Sequence, residues 1–85
     1  MNQVLTFPCS WEVKAFGPNT QEFELEVVRI VRRHAPDLAE NAVTTRLSRG
    51  GKYLAVSVAI RARNREQLHA IYRELRAQPE VVMTL

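Results

Sequence analysis

The sequence has few of the features that mark secreted, metal-bound or membrane proteins. Cys9 is the one cysteine in 85 residues, which excludes an internal disulfide and a cage of thiolate ligands for iron–sulfur clusters or other metals. No segment approaches the roughly 20 apolar residues of a membrane span. Residues 1–7 lack the basic start and apolar run of a signal peptide. We therefore expect a cytoplasmic protein that is not attached to a membrane.

Positive charge is only slightly in excess over negative charge. Twelve Lys and Arg against nine Asp and Glu give a net charge of +3, a weak indication of anionic partners. The basic residues are scattered over the late first helix, the central hairpin and the second helix, so a solvated surface explains most of them. The length and the 46% hydrophobic content predict a single globular domain over residues 1–85.

Hydrophobic periodicity predicts four strands and two helices. The strands are residues 10–16, 42–49, 52–62 and 81–85, and the helices are residues 20–34 and 64–77. Asn19, followed three residues later by Glu22, resembles a capping box at the first helix, and Pro36 ends that helix. The order is β-α-β-β-α-β.

The central hairpin allows its register to be predicted. A two-residue turn at Gly50-Gly51 pairs Arg49 with Lys52. This register places Leu47 opposite Leu54, and it sorts apolar and polar side chains onto opposite faces, which a slip of one residue would destroy. The residues of the third strand that face outward are then Tyr53, Ala55, Ser57, Ala59 and Arg61.

Two right-handed crossovers place both helices on one face of the sheet. The prediction is an α+β, ferredoxin-like βαββαβ sandwich, with a four-stranded antiparallel sheet of order 4-1-3-2. Its core face would hold Trp11, Val13, Ala15, Leu47, Leu54, Val56, Val58, Ile60, Val81, Met83 and Leu85.

Four segments carry a resemblance to a known family: VVRIVRRHAPD at 27–37, SRGGKYLAVSV at 48–58, EQLHAIYREL at 66–75 and VVMTL at 81–85. From Phe7 onward the chain resembles the YbeD-like group of small uncharacterised bacterial proteins. The resemblance implies a ferredoxin-like fold similar to ACT domains, which bind amino acids and regulate enzymes. Members are often encoded near lipoate-synthesis genes, which suggests a link to lipoate metabolism. No catalytic residues are established in the family. Gly17 is the one position that could correspond to the glycine near which ACT domains bind ligands, and the rest of the ACT ligand motif is not evident.

The predicted topology brings several side chains to one end of the sheet. Phe16 and Tyr53 lie there on the open face, beside the start of the first helix and the basic hairpin tip. Backbone amides and basic groups at this end could hold a carboxylate or phosphate, and the aromatic pair could cover an apolar part. A cross-strand aromatic contact beside a plain turn is the alternative. The candidate ligand-binding residues are Phe16, Gly17, Asn19, Thr20, Arg49, Lys52 and Tyr53.

Other functions find less support in the sequence. An acylphosphatase needs an arginine between the first strand and first helix, and residues 16–22 contain none, so we expect no enzyme. Ala55, Ser57 and Ala59 make a poor platform for base stacking, so nucleic-acid binding is disfavoured. Two histidines on separate helices form no metal site, and we expect no cofactor.

Three hypotheses remain. The first is an ACT-like, non-catalytic regulatory or interaction module that binds an unknown protein partner or a small anionic ligand. The second is a homodimer or other protein-binding domain without a ligand, which associates through edge strands or through the open face, whose small residues suit close approach by another surface. The third, less favoured, is an RNA-binding sheet.

Overall fold

Two ten-residue strands form the centre of the sheet, and two short strands form its edges. In a computed structural model that describes residues 6–85, the strands run antiparallel in the order β2-β3-β1-β4. This is the predicted order 4-1-3-2, with both helices on one face. The elements are β1 (Cys9–Pro18), α1 (Gln21–His34), β2 (Val43–Leu47), β3 (Tyr53–Ala62), α2 (Arg65–Arg76) and β4 (Met83–Thr84), with a 3-10 turn at Glu40–Ala42 before β2.

The core lies between the helices and the β1–β3 pair. Phe23, Val27, Ile30 and Val31 of α1 are buried there, and so is the apolar stripe of α2. On the sheet side, alternate residues of β1 and β3 are buried because side chains of a strand point to opposite faces in turn. The buried strand residues of this face are Val13, Ala15, Leu54, Val56, Val58, Ile60 and Ala62.

The hairpin register is the predicted one, but its tip is wider. Leu47 lies opposite Leu54. Beyond them the Ser48 amide donates to the Tyr53 carbonyl at 2.9 Å, and Ser48 Oγ accepts from the Tyr53 amide at 3.0 Å. The Ser48 carbonyl instead accepts from Gly51, whose φ is +73°. The predicted two-residue turn pairing Arg49 with Lys52 is therefore wrong, because the turn uses the carbonyl that the ladder would need.

Helix α1 begins one residue later than predicted. Thr20 is its N-cap, and Thr20 Oγ1 accepts from the Phe23 amide at 3.1 Å. Asn19 does not cap the helix, so the capping-box prediction at that residue is wrong. The backbone amide of Asn19 donates to the Lys52 carbonyl at 3.2 Å, which continues the β1–β3 ladder by one pair. Asn19 thus belongs to the end of the sheet rather than to the helix.

The edge strands depart most from the predicted core. Leu47, Met83 and Leu85 were placed in it, yet they are 53%, 49% and 64% exposed. Leu47 does share a face with buried Leu54, but β2 lies beyond the cover of the helices and is exposed along most of its length. Trp11 and Val81 are only half-buried.

The side chains of β4 and its flanking residues point to the opposite faces of the sheet from those predicted. Met83 lies opposite Phe16, and Leu85 exchanges backbone hydrogen bonds with Lys14 at 2.9 and 3.2 Å. Paired residues of neighbouring strands share a face, so Met83 and Leu85 lie on the open face with Phe16. Thr84 points toward the helices instead, opposite Ala15.

Candidate functional site

Most of the residues predicted to form a site do meet at one end of the sheet. Phe16 and Tyr53 share the open face, since they lie opposite Ala55 and Pro18 in the β1–β3 register. Asn19 Nδ2 donates to the Gly51 carbonyl at 3.0 Å, which ties the segment after β1 to the hairpin tip. This end of the sheet is therefore held together by direct hydrogen bonds between its two halves.

Gly17 has a packing role on the helix-covered face. It is buried opposite Leu54, and a Cβ atom at Gly17 would lie 2.3 Å from the Phe23 ring. The absence of a side chain thus lets the Phe23 ring lie directly on β1. Phe23 therefore fills the space beside Gly17 on the helix-covered face.

The first turn of α1 is already supplied with polar partners. Thr20 Oγ1 accepts a hydrogen bond from the Phe23 amide, and Glu22 and Glu24 lie in the same turn. These carboxylates complement the positive end of the helix dipole, so an additional anion there would face two negative charges. Thr20 is best explained as a cap, and the basic groups nearest the Phe16–Tyr53 pair lie on the hairpin instead.

An exposed apolar cluster adjoins the aromatic pair. Phe16, Ser48, Tyr53, Val82 and Met83 surround a shallow depression of about 380 Å³, and we call these five residues the end patch. The exposed fractions of Tyr53, Met83 and Val82 are 42%, 49% and 66%. Val82 is fixed to β1 by its amide, which donates to the Phe16 carbonyl at 2.8 Å.

Sequence reasoning missed Val82 and Met83 as members of this surface. The segment VVMTL is apolar at positions of both parities, so alternation could not assign its faces. The one signal available was Thr84, the polar residue of the segment, but it is this residue that points toward the helices.

Basic side chains border the end patch. Lys52 Nζ lies 5.5 Å from the centroid of the Tyr53 ring, within the range of a cation–π contact. Arg46 lies on the open face opposite Ala55 and lines a second depression of about 120 Å³ next to Phe16 and Tyr53. Arg49 is exposed at the hairpin tip. Within residues 6–85, no acidic side chain lines either depression.

The rest of the open face is a polar trough. Ala55 and Ser57 of β3 form its floor, and Glu12, Lys14 and Thr44 stand at its sides, with a volume of about 410 Å³. The outward residues of β3 are those predicted from the hairpin register. The floor carries no aromatic ring, so the aromatic contact area of this trough lies at its Phe16 end.

The polar clusters away from this end stabilise the helix layer. His34 Nε2 lies 2.8 Å from Glu74 Oε1, and Arg33 pairs with the other oxygen of Glu74. The His34 carbonyl accepts from Gln67 Nε2 at 2.8 Å. His34 thus joins the two helices, as a satisfied helix-terminal histidine would. His69 is exposed on α2.

Two classes of site are not found in the part of the chain that the structure describes. No three His, Cys, Asp or Glu side chains there are grouped so that they could hold a metal ion. No helix there is both long enough and apolar enough to cross a bilayer.

Comparison with known proteins gives consistent matches along nearly the whole chain. Residues 2–85 match a family described as "Protein of unknown function (DUF493)". A UPF0250 protein of Chromobacterium violaceum is 41% identical over 83 residues, which cover 98% of this chain and 93% of that protein. A UPF0250 protein of Neisseria gonorrhoeae is 39% identical over 96% of this chain and 90% of its own length. One from Nitrosomonas europaea is 35% identical, with coverages of 96% and 94%.

Proposed function

Because the chain belongs to the DUF493 family of proteins of unknown function, which the YbeD-like resemblance anticipated, we propose a function from its surface. The protein is a non-catalytic interaction module. It binds a partner protein through the end patch, and the partner supplies an apolar segment flanked by acidic residues. The observation that carries this proposal is the group of exposed apolar side chains around the depression at one end of the open face.

The shape of the end patch favours a protein over a small molecule as its principal ligand. Small-molecule sites bury about 70–90% of their ligand in a concave pocket. Here Val82 and Met83 stand at about half exposure or more around a shallow depression. A contiguous exposed apolar area with a polar rim is typical of protein-binding surfaces, and tyrosine, methionine and arginine are enriched in such interfaces.

The charge around the end patch defines the partner further. Arg46 lines the neighbouring depression, Lys52 lies over the Tyr53 ring, and the chain as a whole carries +3. Complementary charge increases association rates and excludes partners of the same sign. Acidic residues on either side of the bound apolar segment would therefore pair with this basic rim.

Titration with a synthetic peptide, followed by NMR, tests the proposal. The probe is a peptide of alternating leucine and phenylalanine with glutamates at both ends, and the same peptide with lysines in place of the glutamates is the charge control. We expect amide shifts confined to residues 16, 46–53 and 82–84 with the acidic peptide only. Shifts concentrated on the helix face, or equal shifts with the basic peptide, would contradict the proposal.

A pair of variants then separates the end patch from the rest of the open face. The double variant V82S/M83S removes apolar contact area at exposed positions, and we expect it to weaken peptide binding at least about tenfold, as loss of a central contact does. Ala59→Ser changes an exposed residue of the same face outside the end patch and should leave binding unchanged. Equal affinity of the two variants would exclude the end patch as the binding surface.

A second candidate function is regulatory binding of a small acid, as the similarity to ACT domains implies. Lys52 stands beside the apolar depression of about 380 Å³, an arrangement that fits a carboxylate with an apolar body, such as lipoate or an apolar amino acid. The same NMR experiment, with lipoate and with amino acids, tests this. Shifts at residues 16–20 and 49–53 are expected, and their absence with every acid would eliminate this candidate.

A further inference from the structure

Strand β2 is an edge of the sheet, and within residues 6–85 only β3 pairs with it. Every side chain from Thr44 to Leu47 is exposed, on both faces of the sheet. Natural edge strands usually carry charges, proline or a bulge that prevents further pairing. The sequence of β2, VTTRL, has no proline, and Arg46 is its one charged residue.

The hairpin register identifies the backbone groups that face away from the sheet. The Ser48 amide donates to the Tyr53 carbonyl, and hydrogen-bonded and non-bonded pairs alternate along an antiparallel ladder. Arg46 and Thr44 therefore bond to β3. The amides and carbonyls of Val43, Thr45 and Leu47 point outward from the free edge.

We propose that this edge pairs with β2 of a second copy of the chain, antiparallel, about a two-fold axis at Thr45. In that register Thr45 lies opposite Thr45 of the second copy, and Val43 lies opposite its Leu47. The three residues that exchange hydrogen bonds are then the three whose backbone groups point outward. Two four-stranded sheets become one sheet of eight strands.

The side chains of β2 are complementary to themselves in this register. Leu47, 53% exposed in the single chain, gains Val43 of the second copy as an apolar neighbour on the helix-covered side. The two Thr45 side chains meet on the axis, a favourable cross-strand pair. Arg46 faces Thr44 of the second copy, so no two charges of the same sign are directly opposed. An axis at Arg46 would oppose two arginines and leave Val43 unpaired.

The pairing has a consequence for the open face. Ser48 belongs to the end patch and follows β2 directly. Because residues paired across the axis share a face of the sheet, the two end patches of a dimer lie on the same face of the extended sheet. A partner with two binding segments could engage both, and such bivalent binding exceeds the affinity of one contact. The pairing itself does not depend on what the end patch binds.

A charge exchange at Thr45 tests the pairing. Analytical ultracentrifugation of the wild-type chain from micromolar to millimolar concentration should show a monomer–dimer equilibrium. The variants T45K and T45E should each be monomeric, because like charges would meet on the axis. An equimolar mixture of the two should restore a dimer. Ala59→Lys, an exposed change on β3 away from the edge, is the control and should dimerise like the wild type.

Each contrary result identifies a different error. A wild-type chain that stays monomeric at every concentration would overturn the proposal. A dimer that persists unchanged in T45K would show that the copies meet through another surface. A T45K and T45E mixture that stays monomeric, with both variants folded by circular dichroism, would show that the two Thr45 side chains do not face each other.

Discussion

The central strands and the edge strands of this sheet differ in what covers them. β1 and β3 pair along ten residues each, and both helices pack against them. β2 and β4 have five and two residues, and most of their side chains are exposed. The centre therefore holds the apolar contacts that stabilise the fold, while the edges carry exposed apolar side chains and backbone groups with which no further strand pairs within residues 6–85.

One pair of leucines measures this difference directly. Leu54 of β3 and Leu47 of β2 lie opposite each other on the same face, yet they are 6% and 53% exposed. We expect Leu54→Ala to lower the free energy of unfolding by about 3 kcal/mol, since truncation of a buried leucine leaves a cavity. Leu47→Ala should cost less than about 1 kcal/mol, since it removes a side chain already half in water.

Chemical denaturation of the two variants, with the wild type as reference, gives both values. If Leu47→Ala cost as much as Leu54→Ala, then β2 would be covered in solution. A second copy on its edge would produce that result at high protein concentration only. Measurement at two concentrations therefore also bears on the proposed dimer.

The centre of the sheet could be predicted because its sequence alternates. Val13 and Ala15, and then Leu54, Val56 and Val58, alternate with polar or small residues, and burial on one side makes a one-residue slip costly. The hairpin register and the outward residues of β3 follow from that pattern, and the strand order follows from the right-handed crossovers.

The edges could not be predicted in the same way, because nothing buries one of their faces. Around β4, apolar Val82, Met83 and Leu85 give no alternation, and this segment is placed by hydrogen bonds to Lys14 and Phe16. The conformation of the hairpin tip depends on whether the Ser48 carbonyl accepts its hydrogen bond from Gly51 in the turn or from Tyr53 in the β2–β3 ladder. Consequently the aromatic half of the end patch was predicted, and its Val82–Met83 half was not.

Gly17 gives the second test, at the junction of β1 and α1. Its missing side chain leaves room for the fully buried Phe23 ring, whereas Gly50 at the hairpin tip has open space around it. We expect Gly17→Ala to lower the free energy of unfolding by about 2 kcal/mol through overpacking. Gly50→Ala, the matched control, should change it by less than about 0.5 kcal/mol.

A second substitution tests the cause of that loss. The double variant G17A/F23L replaces the Phe23 ring by a smaller side chain. Its loss of unfolding free energy should be smaller than the sum of the losses in the two single variants, since the effects of residues in contact are coupled. Strict additivity of Gly17→Ala and Phe23→Leu would show that the two residues do not compete for the same space.

Tyr72 gives the smallest expected effect, and it concerns the attachment of β4. Trp11 Nε1 donates to the Tyr72 hydroxyl at 2.9 Å, and that hydroxyl donates to the Leu85 carbonyl at 2.7 Å. Tyr72→Phe breaks both bonds, and we expect it to cost about 1 kcal/mol.

The loss should be concentrated at the edge of the sheet. Hydrogen exchange should accelerate at the amides of Val82 and Leu85, which bond to β1, while the amides of the β1–β3 ladder stay protected. Tyr53→Phe is the control, because its hydroxyl has no hydrogen-bond partner within residues 6–85. Because Val82 and Met83 belong to the end patch, Tyr72→Phe should also weaken peptide binding without touching the peptide. Unchanged exchange at Val82 and Leu85 would mean that backbone pairing with β1 alone keeps β4 attached. This edge of the sheet would then be more stable against local opening than a strand of two residues implies.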